Sequence, residues 1–554
     1  MDYNKLADLL YPHVDKNINK FFEKYPGRKL LNGAVVSRFA PSPTGYLHIG
    51  GLFQCVTHEM LTRKPSSVFY LRLEDTDQKR EIENAGSLLY ETLLKFGIEP
   101  TEGYRGNLEE RGMYGPYVQS QRLDIYKVFA KYLVSRGRAY PCFCEKCEDK
   151  EEIAAKREQE IEANNTTIDH DPCRKLSYEV VEENIAMGKA FALRLLSKGN
   201  PEAVMEVDDL GRGKRKIREN GKDIVLIKNN GVPVYSFAHV VDDTLMGTTM
   251  VVRGEDWFQS VASHIELFRA FGFEEIPYLH TPNICKLDDG KKRKLSKRKD
   301  PEADSRYFLE QGYPVDAVKE YLLNLINSDF EDWRRANPTK HYREFPFAIS
   351  KISTSNPMFD MVKLNDVSKD YIARLSAEDV YKQYCQWLKE YDPEYLSLVS
   401  KNSDYAFEVF NIERECEKPR KDISCWSMVK DYYNYMFADY KDINIDFATV
   451  TSIDNELLYK ILHTYVVLFE ESLTKDEWFD RLKKMAEKHG YCVNNKEFKA
   501  NPEAYNGNLA SFCNMIRYAF TGKTNTPDLY SICCVLGKEE LFNRLDIIKS
   551  KLRG

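Results

Sequence analysis

Ala34-Val35-Val36-Ser37-Arg38-Phe39-Ala40-Pro41-Ser42-Pro43-Thr44-Gly45-Tyr46-Leu47-His48-Ile49-Gly50-Gly51 is the stretch on which the reading of this chain turns. The apolar run Ala34-Val35-Val36 predicts a buried strand, and the apolar positions Leu52, Phe53, Val56 and Met60 that follow recur at helical spacing. Between them lies a strand-to-helix turn, stiffened by Pro41 and Pro43 and opened by glycines. Such a turn aims backbone N–H groups and a helix N-terminus at one point, which suits an anionic ligand. Gly50 and Gly51 lack a Cβ, so a nucleotide can approach the backbone there. His48 adds an imidazole donor. For His48-Ile49-Gly50-Gly51 alone, a capping or core histidine is the stronger reading.

A second stretch, Lys294-Leu295-Ser296-Lys297-Arg298, changes that balance. It lies among Lys286, Lys291, Lys292, Arg293 and Lys299, which by themselves read as a solvated basic run or a general nucleic-acid patch. As a pair, the two stretches resemble the signature motifs of class I aminoacyl-tRNA synthetases. The neighbouring words resemble a glutamyl-tRNA synthetase of the bacterial type in particular. These are Arg38 to Gly45, then Leu71-Arg72-Leu73-Glu74-Asp75-Thr76-Asp77, then Val252-Arg253-Gly254-Glu255-Asp256. The resemblance runs from about Val35 to the C-terminus, with the motifs in the family's order.

The whole chain fits that class. Its 554 residues leave room for several domains and a large core. The formal charge of −6 argues weakly against a nucleic-acid partner, but local patches matter more than the sum. No apolar run is long enough to span a bilayer. Met1 to Lys20 lacks the apolar centre and cleavage site of a signal peptide. Thirteen cysteines, an odd number and mostly scattered, read as reduced thiols in a cytoplasmic protein.

The expected fold is α/β. A Rossmann-like parallel-sheet catalytic domain carries an inserted acceptor-stem domain and is followed by an all-α anticodon-binding region. Residues 1–33 form an N-terminal extension with no evident chemistry. Residues 34–113 and 229–272 make the catalytic domain, where strand, turn, helix and the strand from Val68 to Leu73 form a βαβ unit. Ligands of parallel sheets bind off the carboxyl ends of strands, where Glu74 falls. Residues 114–228 are the insertion, which in the family grips the tRNA acceptor end. Residues 273–375 hold the Lys294–Arg298 loop and the link to the tRNA stem. Residues 376–554 show helical periodicity, as in Val380, Tyr384 and Leu388, and the words at Met515–Gly522 and Ser531–Gly537 resemble the end of the bacterial family's helical region.

The resemblance also implies roles. Arg38, Ser42, Glu74, Tyr235 and Arg253 would line a glutamate pocket, with Glu74 facing the substrate ammonium. His239 stands where many relatives have asparagine and joins that pocket as a further candidate. Gly45, His48, Gly50, Gly51, Lys294, Ser296 and Lys297 would hold ATP with Mg2+, and His48, Lys294 and Lys297 would carry the catalysis. Glutamate's own carboxylate attacks the α-phosphate, so the protein supplies position and positive charge and needs no nucleophile. The forked donors of arginine suit a carboxylate better than an amide, which makes Arg38 the first candidate for the substrate side chain.

Cys142, Cys144, Cys147 and Cys173, with His170 near the last, have spacings that can close a tetrahedral zinc site. They can equally stand as structural thiols. Some family members use a Cys-x-Cys pair and a later Tyr-x-x-x-Cys here. This chain has Asp169 in place of that tyrosine, so the fourth ligand stays open between Cys147 and His170. The expected partners are glutamate and the glutamate tRNA, with the glutamine tRNA as an open second substrate and a monomer as the family norm. The rivals are a glutaminyl enzyme of the same scaffold and a catalytically silent tRNA-binding paralogue. Gly51 and the helical C-terminal region oppose the first, and intact His48, Lys294 and Lys297 oppose the second.

Overall fold

The structure is a computed structural model describing residues 1–76, 82–144 and 172–553. Backbone contacts divide it into two compact units, Met1–Leu309 with Lys319–Asp360, and Glu310–Val318 with Met361–Gly554.

In the first unit the strand Val36–Phe39 is buried along its length and pairs in parallel with Val68–Leu71, Arg38 opposite Tyr70. Val68–Leu71 pairs in parallel with Glu102–Tyr104, and Glu110–Arg111 closes that edge antiparallel. Burial explains the continuous apolar run of Val68–Leu71. The helix Ile49–Leu61 links the first two and buries Ile49, Leu52, Phe53, Val56 and Met60. A second sheet runs in the order Val251–Gly254, Tyr278–Thr281, Val204–Asp209, Gly213–Arg218. Its first three strands are parallel and its last is antiparallel. The two sheets meet at Val36, whose carbonyl accepts from the Thr249 N–H at 2.9 Å and whose N–H donates to Thr249 Oγ1 at 2.9 Å.

This sheet draws on sequence outside the expected catalytic segments. Val204–Asp209 comes from the stretch assigned to the insertion, and Tyr278–Thr281 lies past residue 272. Strand pairing joins segments by hydrogen bonds that leave no local mark in the chain. The rest of the insertion contributes the helix Leu123–Ser135 and an antiparallel sheet of Ala139–Cys142, Ala192–Leu195 and Val225–Ile227.

The N-terminal extension packs firmly on this unit. Leu6, Ala7, Leu10 and Phe21 are buried in the same core as Phe129 and Leu133. Arg28 grips Glu102 with both Nη atoms, at 2.9 and 2.8 Å, and its Nε donates to the Met246 carbonyl at 2.8 Å. The hairpin Cys285–Asp288 with Lys291–Lys294 turns on Asp289 and Gly290, both at positive φ. That pair of conformations is the tight turn whose twist suits two antiparallel strands.

The second unit is almost wholly helical. The helices Ala377–Tyr391, Ser403–Asn411, Ser427–Phe437, Asn455–Leu468, Lys475–Lys488 and Leu509–Thr521 share one core, with Tyr384, Leu388, Phe410, Leu462, Phe512 and Met515 inside it. The last helical stretch, Leu529–Arg553, breaks at Gly537, where φ is 75° and ψ is 156°. Arg544, itself buried, ties this core by donating to the carbonyls of Phe520 and Tyr435 at 2.7 and 2.8 Å. Among the described residues no helix is long and apolar enough to cross a membrane.

Candidate active site

His48 caps the helix Ile49–Leu61, its Nδ1 accepting the Gly50 N–H at 2.9 Å. The capping role and a ligand role coexist, because a bare Nδ1 leaves the proton on Nε2 and fixes the tautomer. Burial, then the charges of Lys297 and Lys294, push this imidazole down to about 4, against the pull of a hydrogen bond with the Leu295 backbone. His48 is therefore a neutral donor. Leu295 belongs to the second motif, so the two stretches singled out in the sequence meet here. Lys297 Nζ also links them by donating to the Tyr46 carbonyl, and Ser305, beyond the second stretch, donates to the Leu47 carbonyl from N at 3.0 Å and from Oγ at 2.6 Å. Lys294 pairs with Asp256, at the end of the third sequence word.

The glycines of the turn divide their work. Gly45 has a φ of 145°, and a Cβ there would come no closer than 3.9 Å to Lys297 Nζ, so this backbone lies open to the second motif. At Gly51 a Cβ would meet Leu47 Cδ1 at 2.8 Å and Phe39 Cζ at 3.1 Å. The missing Cβ at Gly51 lets the helix pack on the turn and strand.

The candidate glutamate residues sit on the sheet. Arg38 lies in Val36–Phe39, Arg253 in Val251–Gly254, Tyr235 opens the helix Tyr235–Leu245, and Glu74 follows Val68–Leu71. The Glu74 N–H donates to the Pro41 carbonyl at 3.0 Å, which brings Glu74 beside Ser42. Arg253 Nη1 donates to the Tyr235 hydroxyl at 3.3 Å. Glu74 accepts from Arg72 Nη2 through Oε1 at 2.9 Å. Burial raises the Glu74 carboxyl against the pull of Arg72 and Arg38.

Asp243 is the hub beneath this group, and the sequence reading gave it no role. Arg38 Nε lies 3.0 Å from its Oδ2, Arg72 Nη1 2.6 Å from its Oδ1, and His239 Nδ1 2.6 Å from its Oδ2. Burial works to raise the Asp243 carboxyl, but Arg38, Arg72 and His239 outweigh it and hold it well below the usual carboxylate range. Its neighbour Asp242 accepts from Arg122 Nε at 2.7 Å, Gln119 Nε2 at 2.9 Å and the Tyr126 hydroxyl at 2.7 Å. Helical neighbours thus anchor two different segments.

The hub decides which donors remain. His239 must carry its proton on Nδ1 to face Asp243, so Nε2 accepts from the Tyr278 hydroxyl at 3.0 Å. Burial pushes its imidazole down to about 4 despite Asp243. Both ring nitrogens of His239 are engaged and it has no exposed surface. The Tyr235 ring stacks on it with centroids 5.5 Å apart. A protonated Nδ1 accepts nothing from Arg38 Nη2 at 3.5 Å. Arg38 thus commits Nε to Asp243 and Nη1 to the Val252 carbonyl, and among the described residues its Nη2 has only the 3.5 Å contact with His239.

The sulfurs of Cys142, Cys144 and Cys173 lie within 4.8 Å of one another. A tetrahedral zinc with sulfur bonds of about 2.3 Å has edges of about 3.8 Å between sulfurs. The Phe143 N–H donates to the Cys173 sulfur at 3.4 Å, and burial pushes that thiol up against this bond. The three thiols fit such an ion. Cys147 and His170, the candidates for a fourth ligand, lie outside the described residues.

Comparison with known proteins agrees with this geometry. The family described as class I tRNA synthetases (E and Q), catalytic domain, matches residues 34–366, and an anticodon binding domain family matches residues 380–549. A protein of Clostridium beijerinckii named glutamate–tRNA ligase is 45% identical over 553 residues, covering 99% of each chain. One of Clostridium perfringens with the same name is 43% identical over 550 residues, 98% of this chain and 100% of that one. Among solved structures, a glutamate tRNA ligase from Elizabethkingia meningosepticum, in complex with its amino acid, superposes with a TM-score of 0.72. It shares 22% identity over 93% of this chain and 99% of that one, a likeness of fold.

Proposed function

The chain belongs to the class I tRNA synthetase family that serves glutamate and glutamine, and from that premise we propose how its own residues join glutamate to tRNA. ATP and glutamate give glutamyl-adenylate and pyrophosphate, and the terminal ribose of the tRNA then takes the glutamyl group. The observation that carries this reading is the meeting of His48 with the Lys294–Lys297 loop at the start of the helix Ile49–Leu61.

Glutamate's side-chain carboxylate pairs with Arg38 Nη2, and Glu74 Oε2 receives its ammonium. Arg253, linked to Tyr235, supplies a second positive charge. A fork left partly bare favours a carboxylate, because an amide would set N–H against N–H. Neutral His48 donates from Nε2, which leaves the Leu295 backbone, to a phosphate oxygen without competing for a proton. Lys294 and Lys297 leave Asp256 and the Tyr46 carbonyl for the phosphates, so charge grows where these cations wait. Mg2+ would accompany the phosphates, held largely by them and by water.

We further propose a structural zinc on Cys142, Cys144 and Cys173, which would crosslink the strand Ala139–Cys142 to the turn Pro172–Lys175. The tRNA partner is the glutamate tRNA. Charging of the glutamine tRNA as well is the alternative, and a monomeric state and a cytoplasmic location complete this reading. Aminoacylation with labelled glutamate, offering the two tRNAs separately, tests it. Charging of the glutamate tRNA is the expected result, charging of both marks a non-discriminating enzyme, and glutamate on neither tRNA overturns the assignment in favour of a silent paralogue.

A further inference from the structure

Arg253 is held by neutral groups alone among the described residues. Its Nε donates to His280 Nε2 at 3.0 Å and its Nη2 to the Trp257 carbonyl at 3.1 Å. Its Nη1 reaches His264 Nδ1 at 3.1 Å as well as the Tyr235 hydroxyl. A guanidinium offers no acceptor, so both histidines must present a bare nitrogen to it. His280 then carries its proton on Nδ1, 2.5 Å from Asp209 Oδ2, and His264 carries its proton on Nε2, 3.0 Å from Ser236 Oγ.

Asp209 is built for this task. Its Oδ1 accepts the N–H groups of Gly211 and Arg212 at 3.1 and 3.0 Å, and its Oδ2 also accepts the His280 N–H at 3.3 Å. The carboxylate is locked, and neither Asp209 nor His280 has appreciable exposure. The His280 ring is also wedged edge-on against Phe258 and stacked along Tyr278, with centroids at 5.2 and 5.7 Å.

The contrast with Arg38 is physical. Arg38 touches the Asp243 carboxylate and shares its charge. Arg253 reaches the Asp209 carboxylate only through an intervening imidazole. A direct carboxylate would hold the guanidinium just as firmly but would cancel its charge and compete with an anionic substrate. A neutral imidazole takes one N–H and leaves the charge in place. We propose that His280, fixed by Asp209, and His264, fixed by Ser236, form a neutral cradle that aims Arg253 and preserves its charge for the substrate carboxylate. Asp209 and His280 are then positioning residues for the choice of glutamate over glutamine. The proposal rests on the reading of Arg253 as a glutamate contact.

The test compares H280Q, H280E and D209N in the full-length enzyme, with R253Q as the check on the premise. The amide introduced by H280Q retains a neutral acceptor, so that variant keeps the glutamate KM within a fewfold of the parent. The carboxylate introduced by H280E keeps the contact but neutralises Arg253. H280E therefore raises the glutamate KM about tenfold or more and narrows the preference for glutamate over glutamine, while the ATP KM holds. D209N allows the imidazole to turn its proton toward Arg253 and shifts the glutamate KM in the same direction. Equal losses of kcat in H280Q and H280E with an unchanged glutamate KM overturn the cradle and leave a structural histidine. If H280E fails to fold, the comparison of D209N with H280Q decides by the same KM readout. An R253Q enzyme with an unaltered glutamate KM overturns the premise itself.

Discussion

Arg293 reaches from the hairpin across the turn that follows it and grips Asp300 with both Nη atoms, at 2.6 and 2.9 Å. The same carboxylate accepts the Ser296 N–H at 3.0 Å, and the Asp300 N–H returns to the Ser296 carbonyl at 2.9 Å. The turn bearing Ser296 and Lys297 is thus closed at its base, and Lys297 reaches back to the first motif from a fixed start. The hydrogen bonds from Arg293 hold the Asp300 carboxyl well below the usual carboxylate range.

D300N keeps the shape of the side chain and loses its charge. It is expected to lower the aminoacylation kcat by about tenfold to a hundredfold through misplacement of Lys297, with the glutamate KM nearly unchanged. Steady-state kinetics with each substrate varied in turn checks this. An equal rise in the glutamate KM would show that the clamp reaches beyond the phosphate side.

Acid is expected to weaken the fold before it touches the chemistry. His48 and His239 are both pushed down to about 4 in the folded chain. The unfolded chain takes up protons on the same residues near pH 6.5, so each proton it binds favours unfolding. Their contribution to stability is complete above pH 6.5, declines as the pH falls toward 4, and declines no further below that. Thermal melts between pH 7 and pH 5 should show a fall in Tm that H239N reduces. The rate profile over the same range should show no step from His48.

D243N removes the charge that serves Arg38, Arg72 and His239 together. Breaking one partner out of a buried ion cluster costs about 3–5 kcal/mol, because the charges left behind stay out of water. Urea unfolding measures that loss. Any folded D243N protein should also bind glutamate more weakly, since Arg38 loses the contact that orients it.

Zinc analysis of the purified chain is expected to find one ion, and C173S is expected to lose it. Chelation of the parent should loosen the strand Ala139–Cys142, read as faster amide exchange there, and leave exchange in the helical second unit unchanged. A parent chain without zinc would return the three cysteines to the role of structural thiols.

Local signals made much of this protein legible. The strand-to-helix turn at Val36–Ile49 follows from an apolar run, two prolines, a glycine and a capping side chain, all within a few residues of one another. The helical second unit follows from periodicity, as the burial of Val380, Tyr384 and Leu388 along one helix illustrates. The motif words hold Arg38, Glu74 and Arg253, because each word is contiguous.

What the sequence by itself determined, then, is the family, the helical C-terminal region and the candidate residues of the site. Only the tertiary structure decided how those residues are partnered. Arg38 and Asp243 stand 205 positions apart, and their contact determines which guanidinium donors remain for a substrate. The partners of both His239 nitrogens, Asp243 and Tyr278, and the packing of Leu47 and Phe39 against Gly51 likewise come from the fold. Asp209 and His280 carry no motif, since a strand from the insertion had to pair with Tyr278–Thr281 to bring them together. Propensity and capping act through neighbours in the chain and are written there. Compensation of buried charge acts through neighbours in space, and folding alone chooses them.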